Sequence, residues 1–197
     1  MRLFVAIALL TFTFSIQPAR AQSFEAGPHV ASARWSEFEG NDHGIGGRFT
    51  WKPSSLLGVD ADLTWYPSDF PDGFPSTGNR VEGLFGVTLG PKIDRVRPFA
   101  KAAAGFLKVG AAPRPFPCIA IFPPPLNCTL GTGDTLAAYE IGGGIDIAAT
   151  SRTFIRVDVA DRILKYPGPT FDSNFEIRDE GFLGHALRLT LGGGFRF

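Results

Sequence analysis

The chain ends in the stretch Gly184-His-Ala-Leu-Arg-Leu-Thr-Leu-Gly-Gly-Gly-Phe-Arg-Phe197, and this stretch indicates the fold. From His185 onward every second residue belongs to one face, which is mostly leucine and phenylalanine, while the residues between them are small or polar. A period of two is the pattern of a β-strand with two unlike faces. Because aromatic rings settle at the edge of a hydrocarbon layer, the Phe-Arg-Phe ending favours a strand whose apolar face meets lipid.

Seven stretches upstream repeat this alternation, so eight strands are expected in all. In the clearest of them, Leu56–Tyr66, apolar residues such as Leu63 alternate with polar residues such as Asp62. Trp35 falls out of frame near the end of the first strand, which predicts either a bulge or an earlier strand end. The seven predicted strands are Phe24–Trp35, Gly44–Lys52, Leu56–Tyr66, Asn79–Gly90, Arg97–Val109, Thr135–Ala148 and Thr153–Ile163.

The connections between these strands alternate in length. Residues 36–43, 67–78, 110–134 and 164–183 form the long ones, and residues 53–55, 91–96 and 149–152 form the short ones. Outer-membrane barrels have long extracellular loops, short periplasmic turns and an even number of strands. A soluble antiparallel sheet with one solvated, charged face would explain the alternation within each strand. It would explain neither the alternation of the loops nor the terminal phenylalanine.

Charged residues gather on the faces opposite the apolar ones. The outer faces of strands two to eight are predicted to carry no charge, with His185 as their only ionisable group. An apolar outer face requires lipid around it, and the interior charges then require pairing, because an unpaired buried charge is costly. The predicted lumen network consists of Glu25, Arg48, Lys52, Asp60, Asp62, Arg80, Glu82, Lys101, Glu140, Asp146, Arg156, Asp158, Arg188 and Arg196.

The N-terminus reads as a secretory signal peptide. Arg2 precedes an apolar run from Leu3 to Ile16, and Ala19-Arg-Ala21 offers the small residues of a cleavage site. The apolar run is too short for a membrane-spanning helix. We therefore expect residues 1–21 to be removed and residues 22–197 to form one barrel domain. The balance of 19 basic and 19 acidic residues, without a basic block, gives no reason to expect a nucleic-acid partner.

The signal peptide, the eight amphipathic strands, Arg97-Pro-Phe99 at the start of a small-residue strand, and the terminal Phe197 together resemble the OmpA-like superfamily of small outer-membrane β-barrels. The resemblance implies an all-β, eight-stranded antiparallel up-and-down transmembrane barrel in the bacterial outer membrane. Its surroundings would be outer-membrane lipid and lipopolysaccharide. Periplasmic chaperones and the barrel assembly machinery would deliver it, reading a C-terminal signal that includes Leu191, Phe195 and Phe197.

Candidate sites outside the strands are few. Cys118 and Cys128 flank an apolar, proline-rich segment in the longest loop, and in an exported chain they are expected to form a disulfide. The segment between them could contact a partner, meet lipid headgroups or fold over the barrel mouth. The short Gly runs 142–144 and 192–194 lie within strands and fit close backbone packing, not phosphate binding.

No catalytic residues, cofactor or metal site can be assembled from local spacing. The chain has three histidines, and neither His29 nor His185 has a serine two residues further on. The residue at that spacing after His185 is Leu187. Spacing within one strand does not exclude a serine–histidine pair formed across two strands.

These features predict an outer-membrane protein that acts through its surface loops, in adhesion, surface protection or envelope integrity, and is not an enzyme. The connections 110–134 and 164–183 are the expected contacts for an extracellular partner. The alternatives are a narrow ion-conducting pore and a barrel enzyme that modifies lipid A.

Overall fold

The structure, a computed structural model, describes residues 22–38, 40–67, 79–111, 121–171 and 176–197. The predicted signal peptide, residues 1–21, and Cys118 lie outside the described residues. The strands are β1 Ser23–Trp35, β2 Asn41–Lys52, β3 Leu57–Tyr66, β4 Arg80–Leu89, β5 Val96–Val109, β6 Asp134–Ala148, β7 Thr153–Lys165, β8 Thr170–Phe171, β9 Ile177–Arg178 and β10 Leu183–Arg196, and the helix α1 is Leu126–Gly131.

Eight of these strands close into an antiparallel barrel, which confirms the predicted fold class. Each strand pairs with its neighbours in the chain, and the order around the barrel is β1-β10-β7-β6-β5-β4-β3-β2. The pairing of β1 with β10 closes the barrel, with Val30 opposite Leu191 and Glu25 opposite Arg196. The terminal stretch is therefore the strand that closes the barrel. A closed sheet leaves no exposed edge.

The connections divide the barrel into two ends. Residues 36–40, 67–79, 110–133 and 166–182 lie at what we call the long-loop end, and residues 53–56, 90–95 and 149–152 lie at the short-turn end. The first of these connections is shorter than predicted because β2 begins at Asn41 and not at Gly44. Two elements were not predicted: α1 in the connection 110–133, and the hairpin β8–β9 in the connection 166–182. Both are too short to produce a periodic signal.

The predicted bulge or early end at Trp35 is wrong. The register of β1 with β2 runs without interruption from Ser23 to Arg34, and β1 continues to Trp35. Trp35 points inward and is 4 % exposed. Trp35 is therefore in frame: it points to the inner face, which near the long-loop end carries mainly apolar side chains.

Two glycines make room for a buried histidine in the barrel wall. Gly46 and Gly192 lie on the strands either side of His29 and are its direct partners. A Cβ at Gly46 would lie 2.2 Å from the Leu63 carbonyl oxygen and 2.6 Å from His29 Nε2. A larger residue there would displace the imidazole, whose Nε2 lies 2.8 Å from Thr64 Oγ1.

Candidate functional site

The middle of the lumen is filled by one connected set of ion pairs. Arg188, on β10, is 1 % exposed and contacts three carboxylates from three other strands. Its nitrogens lie 3.0 Å from Asp62, 3.2 Å from Glu82 and 2.8 Å from Glu140. Arg162, fully buried on β7, adds a second contact to Glu82 at 2.7 Å. Charges that would be costly alone are thus shared among several partners.

A second group of pairs extends this network toward the short-turn end. Asp158 lies 3.0 Å from Arg48 and 2.9 Å from Lys101. Arg156 lies 2.7 Å from Asp60. Further contacts join Arg48 to Asp62, Lys101 to Glu140, Lys52 to Glu25 and Asp146, Arg97 to Asp146, and Arg196 to Glu25. The structure therefore brings the predicted lumen charges together, although their partners are not the expected ones.

The sequence predicted the inward residues but mispaired them. The order of the strands predicts that Asp60 or Asp62 faces Arg80, yet the partner of Arg80 in the described contacts is Asp42, with nitrogen–oxygen distances of 2.7 and 3.0 Å. Strand order likewise predicts that Glu82 faces Arg48 or Arg80, and its described ion-pair partners are Arg162 and Arg188. Strand order cannot give these pairs, because strand tilt and stagger place residues of distant strands at the same height.

Three buried charges were missing from the predicted network: Asp42, Arg97 and Arg162. Asp42 precedes the predicted start of β2. Arg97 was predicted to begin β5, but it was assigned to neither the inner nor the outer face. Arg162 lies in phase with Arg156 and Asp158 on β7, so the alternation alone could have identified it.

The lumen at the long-loop end is lined mainly by apolar side chains beside the Asp42–Arg80 pair, and the alternation within the strands did not predict this apolar region. We call this region the mouth cluster; its buried residues are Ala33, Trp35, Leu84, Leu107, Val109, Leu130, Leu136, Ala138, Leu164, Tyr166 and Ala186. Leu130 comes from α1, and Leu126 packs against the same cluster. The helix α1, which begins at Leu126 near the end of the proline-rich segment, thus covers the barrel mouth.

The mouth cluster and the charge network meet at Arg162. The guanidinium carbon lies 4.8 Å from the centre of the Trp35 ring and 5.7 Å from that of Tyr66. A guanidinium over an aromatic face gains a favourable cation–π contact in a site without water. Above it, burial, together with the Glu37 carboxylate, raises the pKa of Tyr166 far beyond its usual range, so this phenol stays neutral.

At the short-turn end the lumen opens into a cavity of about 300 Å³. Lys52, Arg97, Asp146 and Arg196 line it from the barrel, and the turn residue Arg95 lines it from outside. The lumen is therefore accessible at one end and covered by the mouth cluster at the other.

The outer wall of the barrel is an apolar belt bordered by aromatic rings. Leu63, Phe85 and Ile141 are 57 %, 64 % and 62 % exposed. Aromatic residues stand near both ends of the belt: Trp65, Phe106 and Tyr139 toward the long-loop end, and Phe24, Trp51 and Phe197 toward the short-turn end. This is the inverse of a water-soluble barrel, which buries its apolar residues.

The outer wall is not free of charge, and the prediction on this point is wrong. Lys108 on β5 and Asp161 on β7 point outward within the predicted strands, and Lys165 does so at the end of β7. The strands extend past the apolar belt at the long-loop end, so their last outward residues are not confined to an apolar medium.

Asp161 forms part of a polar patch that extends from β7 across β10 to the connection after β1. The Nδ1 atom of His185, on β10, lies 2.8 Å from Asp161 Oδ2. On the other side of β10, the backbone N–H of Ser36 donates to the His185 carbonyl at 2.8 Å, and the backbone N–H of His185 donates to Ser36 Oγ at 3.2 Å. The spacing of Ser36, Asp161 and His185 in the sequence does not indicate this patch, because the three residues become neighbours only when β10 pairs with β1 and closes the barrel.

The remaining predicted site residues lie on the outer wall at β10 and in α1. Leu191, Phe195 and Phe197 are 50 %, 61 % and 76 % exposed on the outer wall. Cys128 is buried in α1 and is not a free thiol. Because Cys118 lies outside the described residues, its pairing with Cys128 stays a prediction.

Two findings apply to the described part of the chain alone. Within the ranges given above, no three His, Cys, Asp or Glu side chains are grouped as metal ligands. No helix in those ranges has the length and hydropathy needed to cross a membrane.

Comparison with known proteins relates the chain to bacterial outer-membrane barrels by structure alone. No protein-family model and no curated protein matches the sequence. The N-terminal β-barrel domain of Pseudomonas aeruginosa OprF matches with a TM-score of 0.51 and 14 % identity, over 89 % of this chain and 97 % of that one. Neisserial surface protein A gives 0.49 and 14 % over 89 % and 97 %, and P. aeruginosa OprG gives 0.48 and 11 % over 90 % and 96 %. At this identity the likeness concerns the fold.

Proposed function

We propose that this protein is an integral protein of the bacterial outer membrane that acts through its long-loop end. The observation that carries the proposal is the inverted barrel: apolar side chains cover the outer wall, and ionised side chains fill the lumen. Only a hydrocarbon medium makes this arrangement stable. The similarity of fold to the OprF barrel domain supports the same placement.

The experiment that tests this placement is membrane fractionation combined with heat-modifiable gel migration. We expect the mature chain in the outer-membrane fraction, with the unheated protein migrating differently from the boiled one. The proposal also implies cleavage of residues 1–21, delivery by periplasmic chaperones and insertion by the barrel assembly machinery. Recovery as a soluble protein without heat-modifiable migration would exclude the placement.

The loops are the part of the molecule that we propose to function at the cell surface, in adhesion, surface protection or envelope integrity. The barrel beneath them is rigid, since its lumen is closely packed, and rigid scaffolds commonly present functional loops. Lipid and lipopolysaccharide surround the wall, and an extracellular partner would bind connections 110–134 and 164–183. Replacing residues 112–120 by a Gly-Ser linker of equal length should abolish adhesion or serum survival while leaving heat-modifiable migration unchanged.

A narrow pore is the second candidate, favoured by the open cavity at the short-turn end. We propose that the wild-type barrel does not conduct, because the mouth cluster covers the lumen and the network side chains fill it. Planar-bilayer recordings of the purified protein should be silent. Stable conductance steps in the wild type would instead favour the pore.

A further inference from the structure

The outer wall carries one group of polar side chains that neither the lumen network nor the loops explain. Ser36 directly follows β1, His185 lies on β10 and Asp161 on β7, and the three residues are neighbours at the long-loop end of the apolar belt. His185 and Asp161 have 56 % and 48 % of their side chains exposed. A hydroxyl, an imidazole and a carboxylate in this order are the components of a serine hydrolase site.

The bond between His185 and Asp161 selects one tautomer of the neutral imidazole. With Nδ1 at 2.8 Å from the carboxylate, the proton of the neutral ring belongs on Nδ1, where it is donated to Asp161. Nε2 is then unprotonated and able to accept a proton. The carboxylate also holds the ring in one orientation, which is the role of the acid in a catalytic triad.

Ser36 is the hydroxyl-bearing residue next to His185, and it is the candidate nucleophile. It is exposed and stands directly opposite His185, and its Oγ accepts the His185 backbone N–H. That bond uses an oxygen lone pair and leaves the hydroxyl proton available. Ser36 Oγ does not contact the imidazole in this structure, so the proposal requires it to leave the His185 backbone N–H and turn toward Nε2; such contacts are commonly loose before substrate binds.

The position of the site selects the class of substrate. His185 lies two residues above Leu187, which is 59 % exposed on the apolar belt, so the three groups stand at the boundary between hydrocarbon and headgroups. Ester bonds of membrane lipids lie at this boundary. Two cations flank the site on the same face: Arg34, opposite Leu187 on β1, and Lys165, opposite Leu183 on β7.

We propose that Ser36, His185 and Asp161 form a hydrolytic site for ester-linked acyl chains of anionic lipids in the outer leaflet. Ser36 Oγ attacks the acyl carbonyl carbon while His185 Nε2 takes the hydroxyl proton. The ester C–O bond breaks, and the leaving alcohol receives that proton. Water then attacks the acyl-serine with His185 as base, releasing the fatty acid and restoring Ser36. The net reaction is ester and water to acid and alcohol.

A fluorophosphonate probe tests the nucleophile directly. The folded protein in lipid vesicles should be labelled, with the mass increase on the peptide that contains Ser36. Ser36→Ala should abolish labelling, whereas Ser32→Ala, four residues earlier on β1, should leave it unchanged. Absence of labelling, or equal labelling of Ser36→Ala, would overturn the proposal and favour the expectation that the chain is not an enzyme.

Fatty-acid release measured by mass spectrometry tests the base, the positioning residue and the source of the ester. His185→Asn and Asp161→Asn should each lower the rate at least tenfold, as loss of a triad member does. Asp161→Asn should also alter the pH profile, which a merely structural role would not do. His43→Asn, a matched control at the same end of β2, should retain the wild-type rate. Release from vesicles containing lipopolysaccharide or from vesicles of phosphatidylglycerol alone identifies the lipid; release from neither would contradict the assignment.

Discussion

Asp42 and Arg80 give the sharpest test of how the lumen charges stabilise the barrel. Asp42 is 1 % exposed, Arg80 is 1 % exposed, and two bonds of 2.7 and 3.0 Å join them. At these distances and an effective dielectric constant of about 20, the Coulomb attraction is about 6 kcal/mol. Much of it is offset by the loss of hydration of both groups, so removing one partner should cost about 3–5 kcal/mol.

A double-mutant cycle measures this coupling. Asp42→Ala and Arg80→Met should each lower the free energy of unfolding, because each removes the buried ion pair between these two side chains. The double variant should lose less than the sum of the two, with a coupling energy of about 2 kcal/mol or more. The assay is urea unfolding in lipid vesicles followed by tryptophan fluorescence. Additive losses would mean that both side chains are solvated, which would refute the argument from burial.

Three further predictions concern the wall, the mouth and the terminus. Leu63→Arg places a charge in the middle of the apolar belt and should cost about 2–4 kcal/mol in vesicle unfolding, whereas Ser55→Arg in a turn should stay within about 0.5 kcal/mol; equal effects would contradict the lipid contact. Leu107→Ala in the mouth cluster should cost about 2–5 kcal/mol by leaving a cavity, while Leu187→Ala on the wall should cost less, because lipid can fill the space; the same unfolding assay compares them. Phe197→Ser should reduce the amount of heat-modifiable barrel in the outer membrane without reducing export, and unchanged levels would remove the role of the terminal aromatic in assembly.

The strands were predictable because each carries its own signal. A period of two needs no information from the rest of the chain, and the predicted ends of β3, β5 and β6 lie within one residue of the observed ones. The terminal stretch was also sufficient to indicate which face of β10 points outward. What a single strand cannot encode is its stagger against strands on the far side of the barrel. The ion-pair partners depend on that stagger.

The mouth cluster was missed for a different reason. Trp35, Leu107 and Leu136 occupy inward positions in phase with charged residues on the same strands. Alternation assigns a residue to a face, but it does not report the height of that residue within the barrel. Near the long-loop end the inner face changes from charged to apolar, and α1 supplies the apolar cover. Only the closed barrel shows that these residues lie at one level.

The charge network and the mouth cluster together fill the lumen, and this limits where the protein can bind other molecules. Arg188, Arg162 and Glu82 at the centre of the network are at most 1 % exposed. Arg162 lies 2.7 Å from Glu82, and Arg188 lies 2.8 Å from Glu140. A ligand that entered from the short-turn cavity would have to displace these pairs, leaving charges uncompensated at a cost of several kcal/mol each. A ligand approaching from the long-loop end would first have to remove α1 from the mouth cluster. The surfaces that bind without disturbing the buried network are therefore the long connections and the outer wall. On the outer wall, His185 and Asp161 form a polar contact at the end of the apolar belt. Labelling of Ser36 tests whether this contact has a catalytic role or only a structural one.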